Sequence, residues 1–534
     1  MPVVSVTAAG ADRRQENRKG DDEHNRTESD AFFYGDRRHV QRVRCGLRHV
    51  HHSGLRQLSP AHRLYQSASR VTGRRIVQGI ALAAGLGALL GCASVPDFDQ
   101  SDDSLGGGSK PQIMGARGPL TARQSKALLA RVSTEPGDAG VLKRHLIIEQ
   151  AVAEDPLIAG NRTRILRDGP DAFRAMFAAI QGAKSNVNLE YFILEDVESD
   201  GQLLGDLLVA RLQDGIAVNI IYDSYGSSST PAALFDRLRQ AGAKVVEFNP
   251  INPLKAKENY APNDRDHRKI LVVDGATAIV GGVNLSTTYQ SNPLGKSGPP
   301  EGKPVEHWRD TDLQIDGPVV AQLQRLFFDH WTSQKGPPLA MTGYFPLVPP
   351  RGSDVVRILG STPDHAVPRY YVTLLSAIRN AERSISICAA YFVPTHQELE
   401  DLSDAARRGI VVRLLLPDRS DSEQAIAVAH SHYSDLLAAG VKIYETHDLV
   451  LHSKTIVIDG VWSVIGSSNF DQRSVLFNDE VDAVVLGSGT AQAMEKRFDD
   501  DLANAHQIDA AAWGQRPFRK KVNEMLSRLW PPLL

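Results

Sequence analysis

The same short pattern occurs twice in this chain, and that repetition constrains the fold more than anything else in it. His267-Arg268-Lys269-Ile270-Leu271-Val272-Val273-Asp274 and His452-Ser453-Lys454-Thr455-Ile456-Val457-Ile458-Asp459 share one template: His-x-Lys, four residues, then Asp. Of the chain's 17 histidines, only these two have Lys two places on. Each run is followed by Gly at the same distance (Gly281, Gly466) and then by Asn (Asn284, Asn469). A pattern that returns with its downstream landmarks marks a duplicated unit.

The text around the two runs repeats as well. Hydrophobic periodicity predicts helix over Asp171–Ala183, strand Asn186–Leu194, helix Gly201–Asp214, strand Ala217–Asp223, helix Pro231–Ala241 and strand Lys244–Phe248, then the first run. The second half predicts helix Pro368–Ala381, strand Ser384–Val393, helix Glu398–Arg408, strand Val411–Pro417, helix Ser422–Ala439 and strand Val441–Glu445, then the second run. Tyr191-Phe192 matches Tyr391-Phe392, and Ala241-Gly242-Ala243-Lys244 matches Ala439-Gly440-Val441-Lys442. The first copy carries an extra loop, Pro250–Asp266. Alternating strands and helices imply α/β layers around a largely buried sheet. The β-branched runs Ile270–Val273 and Thr455–Ile458 suit central strands.

Period-two alternation puts the His and Lys of each run on one strand face, where both can meet one ligand. Two lysines and two asparagines suit the non-bridging oxygens of an anionic phosphodiester. One histidine can attack phosphorus, and the other can protonate the leaving alkoxide and later deprotonate an alcohol or water. The expected catalytic set is His267, Lys269, Asp274, His452, Lys454 and Asp459. The two motif aspartates precede Gly275 and Gly460 and are expected to brace the turn rather than touch substrate. Asn284, Asn469, Asp310 and Glu480 are the expected supporting residues. Each histidine needs a carboxylate to fix its tautomer. Glu480 is the candidate for the second half; Asp310, from aligning Arg309-Asp310-Thr311-Asp312 with Asp479-Glu480-Val481-Asp482, is its counterpart in the first. The chemistry needs no metal or other cofactor, and no carboxylate cluster in the sequence suggests a metal.

At 534 residues and 42% hydrophobic content, the chain can build several cores. Its net charge of −3 conceals a division: residues 1–75 carry a net +7, so the rest carries −10. An acidic body is a poor partner for nucleic acid, which binds through phosphate neutralisation by Lys and Arg. Three cysteines cannot form a disulfide framework. Residues 71–92 have a basic start, a short apolar stretch and the ending Leu89-Leu90-Gly91-Cys92, as in a secretory signal. Residues 1–70 show no sustained periodicity and are expected to be a disordered or mis-annotated extension. A linker and lead-in is expected over 93–159. The C-terminal end interleaves Arg516, Arg519, Lys520, Lys521 and Arg528 with Val522, Met525, Leu526, Leu529 and Trp530. This reads either as a docking segment for anionic lipid or as an ordinary helix packed on the body.

With these residues in view, the chain resembles the phospholipase D superfamily, defined by paired His-x-Lys-x4-Asp motifs, over about residues 160–534. Leu189-Glu190-Tyr191-Phe192-Ile193-Leu194, Gly281-Gly282-Val283-Asn284, Tyr391-Phe392-Val393-Pro394 and Ser468-Asn469-Phe470-Asp471-Gln472-Arg473-Ser474 with Asn478 and Glu480 resemble bacterial cardiolipin synthases. The resemblance implies two α/β domains related by a pseudo-twofold axis, here 160–345 and 346–534, with the active site at their interface. It implies transfer through phosphohistidine, His267 as nucleophile and His452 as general acid/base, and phosphatidylglycerol as donor and acceptor, with glycerol released and cardiolipin formed. The alternatives are a hydrolase using water, an endonuclease of the same superfamily, and a non-catalytic scaffold. Leu-Leu-Gly-Cys resembles a lipobox, which implies a lipidated Cys92 and a bacterial membrane-associated protein facing the periplasm. A plain cleaved signal or an uncleaved anchor is the other reading.

Overall fold

The computed structural model describes residues 112–517, apart from 134–136, 153–154, 253, 255–260, 291–306, 341, 364–367 and 448, together with Val522, Glu524 and Ser527. The signal-like segment, Cys92, the linker and most of the basic C-terminal segment lie outside the described residues. Among the described residues, no helix is long and apolar enough to cross a membrane.

The first half contributes β1 (Leu157–Arg167), β2 (Asn186–Tyr191), β3 (Ala217–Asp223), β4 (Lys244–Phe248), β5 (Arg265–Asp266), β6 (Lys269–Val273), β7 (Thr277–Gly281), β8 (Trp308–Arg309) and β9 (Thr311–Asp316). The second contributes β10 (Asp354–Ser361), β11 (Ser384–Ala389), β12 (Val411–Pro417), β13 (Lys442–Thr446), β14 (Val450–Leu451), β15 (Lys454–Ile458), β16 (Trp462–Gly466) and β17 (Asn478–Leu486). The first sheet runs β4-β3-β2-β6-β7-β9-β1. The second runs β13-β12-β11-β15-β16-β17-β10. Both have three parallel strands on one side and antiparallel strands from the motif onward, so the duplication read from the sequence is a duplication of topology. Both motif strands are buried along their whole length between two neighbours.

The predicted helices and strands appear with ends shifted by a few residues. The matched Ala-Gly pairs mark one device: Gly242 (φ 106°) and Gly440 (φ 99°) follow their helices in the left-handed region and turn the chain into the next strand. The helix expected at Glu398 begins at His396, because Thr395 caps it and Glu398 returns the bond to Thr395 N. One textual match does not hold in space. Lys269 pairs with Tyr191 and Lys454 with Ala389, and the isolated bridges Leu194–Leu285 and Phe392–Phe470 correspond. Phe392 therefore occupies the place of Leu194, two residues out of step with the pairing of Tyr191-Phe192 and Tyr391-Phe392. A slip of two preserves the strand face, which is why the apolar pattern conceals it.

The halves are fused. Strand β1 pairs with β9 through Arg162–Arg167 and with β10 through Ile158, Ala159 and Asn161, so it belongs to both sheets. One core draws Ile270, Val272 and Leu313 from the first half and Val457, Ile465 and Val481 from the second. The lead-in forms helices Ala122–Val132 and Asp138–Val152. Its Ile113, Leu128, Val132, Leu142 and Leu146 join the second half's core with Leu374, Ile378 and Trp462.

Candidate active site

Two very short strand pairings explain the geometry. β5, immediately before His267, pairs in parallel with the start of β17, and β8, immediately before Asp310, pairs in parallel with β14, immediately before His452. The backbone continues the exchange: His267 N donates to Asp479 O (2.9 Å) and His452 N to Arg309 O (2.7 Å). Each histidine is thereby laid beside the carboxylate-bearing strand of the other half.

The bracing pairs are therefore crossed. His267 Nδ1 lies 3.0 Å from both oxygens of Glu480, and His452 Nδ1 lies 2.7 Å from Asp310 Oδ2. The expectation that each carboxylate serves the histidine of its own half is corrected. Both carboxylates meet a motif histidine, but sequence alignment equates positions and cannot see that the strands swap neighbours. Glu480 also accepts from Ser467 Oγ (2.5 Å), Ser474 Oγ (2.9 Å) and Asn478 Nδ2 (3.0 Å).

The two imidazoles line one cavity of about 520 Å³ together with Asn284, Asn469, Tyr289, Trp308, Tyr391, Arg265 and Arg473. Asn284 Oδ1 accepts from Ile193 N (3.2 Å); Asn469 Oδ1 is buried without a hydrogen-bond partner. Lys269 and Lys454 are buried beside their histidines rather than on the cavity wall, each Nζ 2.6 Å from the carbonyl of its own motif histidine. Lys454 Nζ also approaches His452 Nδ1 (2.8 Å) and Nε2 (3.0 Å). The motif aspartates lie at the far ends of their strands, outside the cavity lining, and placing them in the catalytic set is corrected. Asp274 (φ 53°) accepts from the backbone of Lys184, Ser185 and Asn186, and Asp459 (φ 57°) from Glu382, Arg383 and Ser384. Asp459 further meets His145 Nε2 at 2.9 Å. These carboxylates tie the motif strand to the strand beside it, as the reading of them as turn braces requires.

Burial sets the electrostatics. It holds His267 well below its ordinary range, reinforced by Lys269, Lys454 and His452. His452 is lowered by burial and Lys454, but the Asp310 carboxylate opposes them. Burial brings Lys269 down to about 7, against the pull of Glu480, and brings Glu480 up to about 7, against Lys269 and its hydroxyl and amide donors. In this pocket a neutral imidazole is favoured at position 267, and a proton is better tolerated at 452.

The sequence reading missed Tyr289, whose hydroxyl lies 3.0 Å from His452 Nδ1 and accepts from Asn284 Nδ2 (3.4 Å). It also gave no separate role to Ser474, which bonds Glu480 and accepts from Asn469 N (3.1 Å). Tyr289 and Ser474 each stand five residues past the matched Asn, so the same offsets that gave the asparagines reach them. Ser467 and Trp308, whose ring packs 5.3 Å from that of His452, carry no such signal.

On the reverse face of β6, Glu190, Asp266 and His330 place ligand-type atoms within 4.8 Å of one another, a carboxylate cluster not visible in the sequence. It already holds a cation: Arg268 Nη1 is 3.1 Å from Glu190 Oε1. Carboxylates overcome burial at His330 and carry it up to about 9. Arg268, His330 and Asp479 face a second cavity, about 810 Å³, which neither motif histidine lines.

The family model described as "Cardiolipin synthase, PLD-like domain" matches residues 176–292 and 374–502, one segment around each motif. The cardiolipin synthases of Geobacillus kaustophilus and Geobacillus thermodenitrificans are each 36% identical to the chain over 385 residues, covering 72% of it and 74% of the relative. Among solved structures, the phosphatidylserine synthase of Haemophilus influenzae aligns with TM-score 0.55 over 74% of this chain and all of its own, at 13% identity, a likeness of fold. The chain is a member of the cardiolipin synthase family, phosphatidyltransferases of phospholipase D type.

Proposed function

We propose that this phosphatidyltransferase makes cardiolipin from two molecules of phosphatidylglycerol through a phosphohistidine on His267. The observation that carries the proposal is the single cavity lined by both motif histidines, each braced at Nδ1 by the opposite half. With Nδ1 engaged by Glu480, the Nε2 lone pair of His267 attacks phosphorus. The bond from phosphorus to the terminal glycerol oxygen breaks, and His452 gives that oxygen its proton. The second phosphatidylglycerol then returns a hydroxyl proton to His452, its oxygen attacks phosphorus, and the P–N bond breaks to restore His267. The amides of Asn284 and Asn469 on the cavity wall stabilise the charge on the non-bridging oxygens, and Lys269 and Lys454, buried behind their histidines, add positive potential through space. The stronger suppression of protonation at His267, and the Asp310 carboxylate beside His452, support this direction over its reverse.

The test is labelled phosphatidylglycerol vesicles with products resolved. Cardiolipin plus glycerol is expected; phosphatidic acid plus glycerol would mean that water is the acceptor. His267→Ala and His452→Ala should each reduce turnover at least about a hundredfold, and full activity in either variant would refute the shared site. Chelator should have no effect, since the residues named supply every charge the transfer needs. We also read residues 160–345 and 346–534 as the two phospholipase D-like domains, interdependent because they share a strand and a core, and Cys92 as a lipidated anchor that places the enzyme at the periplasmic face of a membrane. Mass analysis of the N-terminal peptide of the mature protein tests the anchor.

A further inference from the structure

Arg268 stands between His267 and Lys269 yet turns to the opposite side of the strand, where it is fully buried. Its guanidinium joins three strands drawn from both halves. Nη1 donates to Glu190 Oε1 on β2 (3.1 Å), and Nη2 to Ser361 O at the end of β10 (3.1 Å) and Asp479 Oδ1 on β17 (3.4 Å). Nε donates to the backbone oxygen of Glu480 (3.2 Å), the residue whose carboxylate meets His267 Nδ1. Asp479 O in turn accepts from His267 N. One side chain thus holds the strand of His267 to the strand of its brace.

His330, from the helix Val320–Ser333 that follows β9, closes this set. Its Nδ1 lies 2.8 Å from Glu190 Oε1 and 3.8 Å from Asp266 Oδ2, and its Nε2 lies 3.7 Å from Asp479 Oδ2. The Phe248 ring packs 5.0 Å away. Against burial, Glu190 and Asp266 carry the imidazole up to about 9, so it is a cation at neutral pH. Burial, with Glu190, pushes the Asp266 carboxyl well up, which leaves Glu190 and Asp479 balanced by Arg268 and His330. Taking one cation from such a buried set leaves a carboxylate uncompensated, and the groups around it must move. Here those groups are bonded to His267 N and Glu480 O.

The second half is built differently. There the helix Ser488–Leu502 brings Arg497 and Asp501 to Asp168 and Arg309, Ser453 holds the template position of Arg268, and the adjoining space is about 10 Å³. Behind His267 the set borders the 810 Å³ cavity, which His330 and Asp479 both line, and His330 Nε2 is buried without a hydrogen-bond partner. Among the described residues, a titratable ring beside a cavity backs the first motif histidine and not the second.

We propose that His330 is a positioning residue for the transfer: its imidazolium holds Glu190, Asp266 and Asp479 around Arg268 and so sets the Glu480 carboxylate against His267 Nδ1. The inference rests on the reading of His267 as nucleophile and adds what keeps that ring in line.

The test uses the full-length chain, with kcat and KM read from glycerol released from phosphatidylglycerol in mixed micelles, a product common to transfer and hydrolysis. His330→Ala opens a space onto the second cavity that imidazole can enter. The variant should lose up to about a hundredfold in kcat, the scale of a misplacement of about 1 Å, with KM little changed. Added imidazole should return kcat towards that of the parent. Pyrazole, the same size but uncharged at neutral pH, should not. The acidic limb of the pH–rate profile, set by His267, should move acidward as Glu480 withdraws, while the alkaline limb, set by His452, stays. His330→Gln, which removes the charge and keeps most of the volume, should show the same loss of kcat and covers the case in which the alanine variant fails to fold. Parent-like kcat in either folded variant would overturn the proposal. Equal rescue by pyrazole would overturn it too, since His330 would then be a space filler. So would a loss that imidazole leaves untouched with both limbs in place, which would make His330 a folding residue alone. Phosphatidic acid from the parent would refute the assigned acceptor and leave the variant-to-parent ratio readable, so the two failures are distinguishable.

Discussion

Both histidines of this site are buried among cations, and what separates them is a carboxylate. Asp310, 2.7 Å from His452 Nδ1, favours the protonated ring. His267 faces Glu480, which burial lifts to about 7 and which spreads its charge over three further donors. Asp310→Asn should therefore lower the affinity of His452 for its proton. The alkaline limb of the pH–rate profile, where the general acid is lost, should move acidward by about one unit or more, while the acidic limb, set by protonation of His267, stays in place. Movement of the acidic limb instead would mean that Asp310 serves His267 and that the crossing is wrong. Lys269 follows the same logic with the opposite charge. Lowered to about 7, it loses its proton as pH rises through neutrality, so binding of the anionic diester should weaken above that point unless substrate holds the ammonium.

At the scale of elements, the matched glycines after each motif have a steric cause. Gly281 and Gly466 pair in register with Asp312 and Asp482, and a Cβ on either would collide with that carboxylate. Asp312 accepts from Val283 N (3.0 Å) and Asp482 from Ser468 Oγ (2.6 Å), which fixes the turns that present Asn284 and Asn469. Gly466→Ala should cost about 1–3 kcal/mol in urea unfolding, the range for overpacking a buried site, and should depress activity in the folded fraction by displacing Asn469. A stability unchanged from the parent would contradict the close approach. This pairing also shows what sequence can and cannot reveal. Local patterns identified both histidines, both lysines, both asparagines and the strand-helix order, because each is set by neighbours along the chain. The crossing of Glu480 and Asp310, the two-residue slip at Phe392 and the charge cluster around Arg268 depend on which strands become neighbours in space. No spacing records those choices. Tyr289 lies between these cases: its offset from Asn284 is legible, but its bond to His452 is not.

The molecule as a whole cannot be divided where its repeat divides. Strand β1 is shared by both sheets, the lead-in residues Ile113 and Leu142 are buried in the second half's core, and Ile270, Val272 and Leu313 lie against Val457, Ile465 and Val481. Separation would expose that common core and leave His267 without Glu480 and His452 without Asp310. Burial of such side chains contributes on the order of 1.5–3 kcal/mol each, so a half standing alone forfeits more than the roughly 5–15 kcal/mol by which domains are stable. Fragments 1–345 and 346–534 should each aggregate when expressed alone and form no product. Co-expressed, they should recover soluble complex and transferase activity, because the breakpoint falls between elements and leaves every sheet pairing available. His267→Ala in one fragment should abolish that recovery. A fragment that stays soluble and unfolds cooperatively by itself would show that each repeat is an autonomous domain, and the crossed carboxylates would then be a feature of docking rather than of folding.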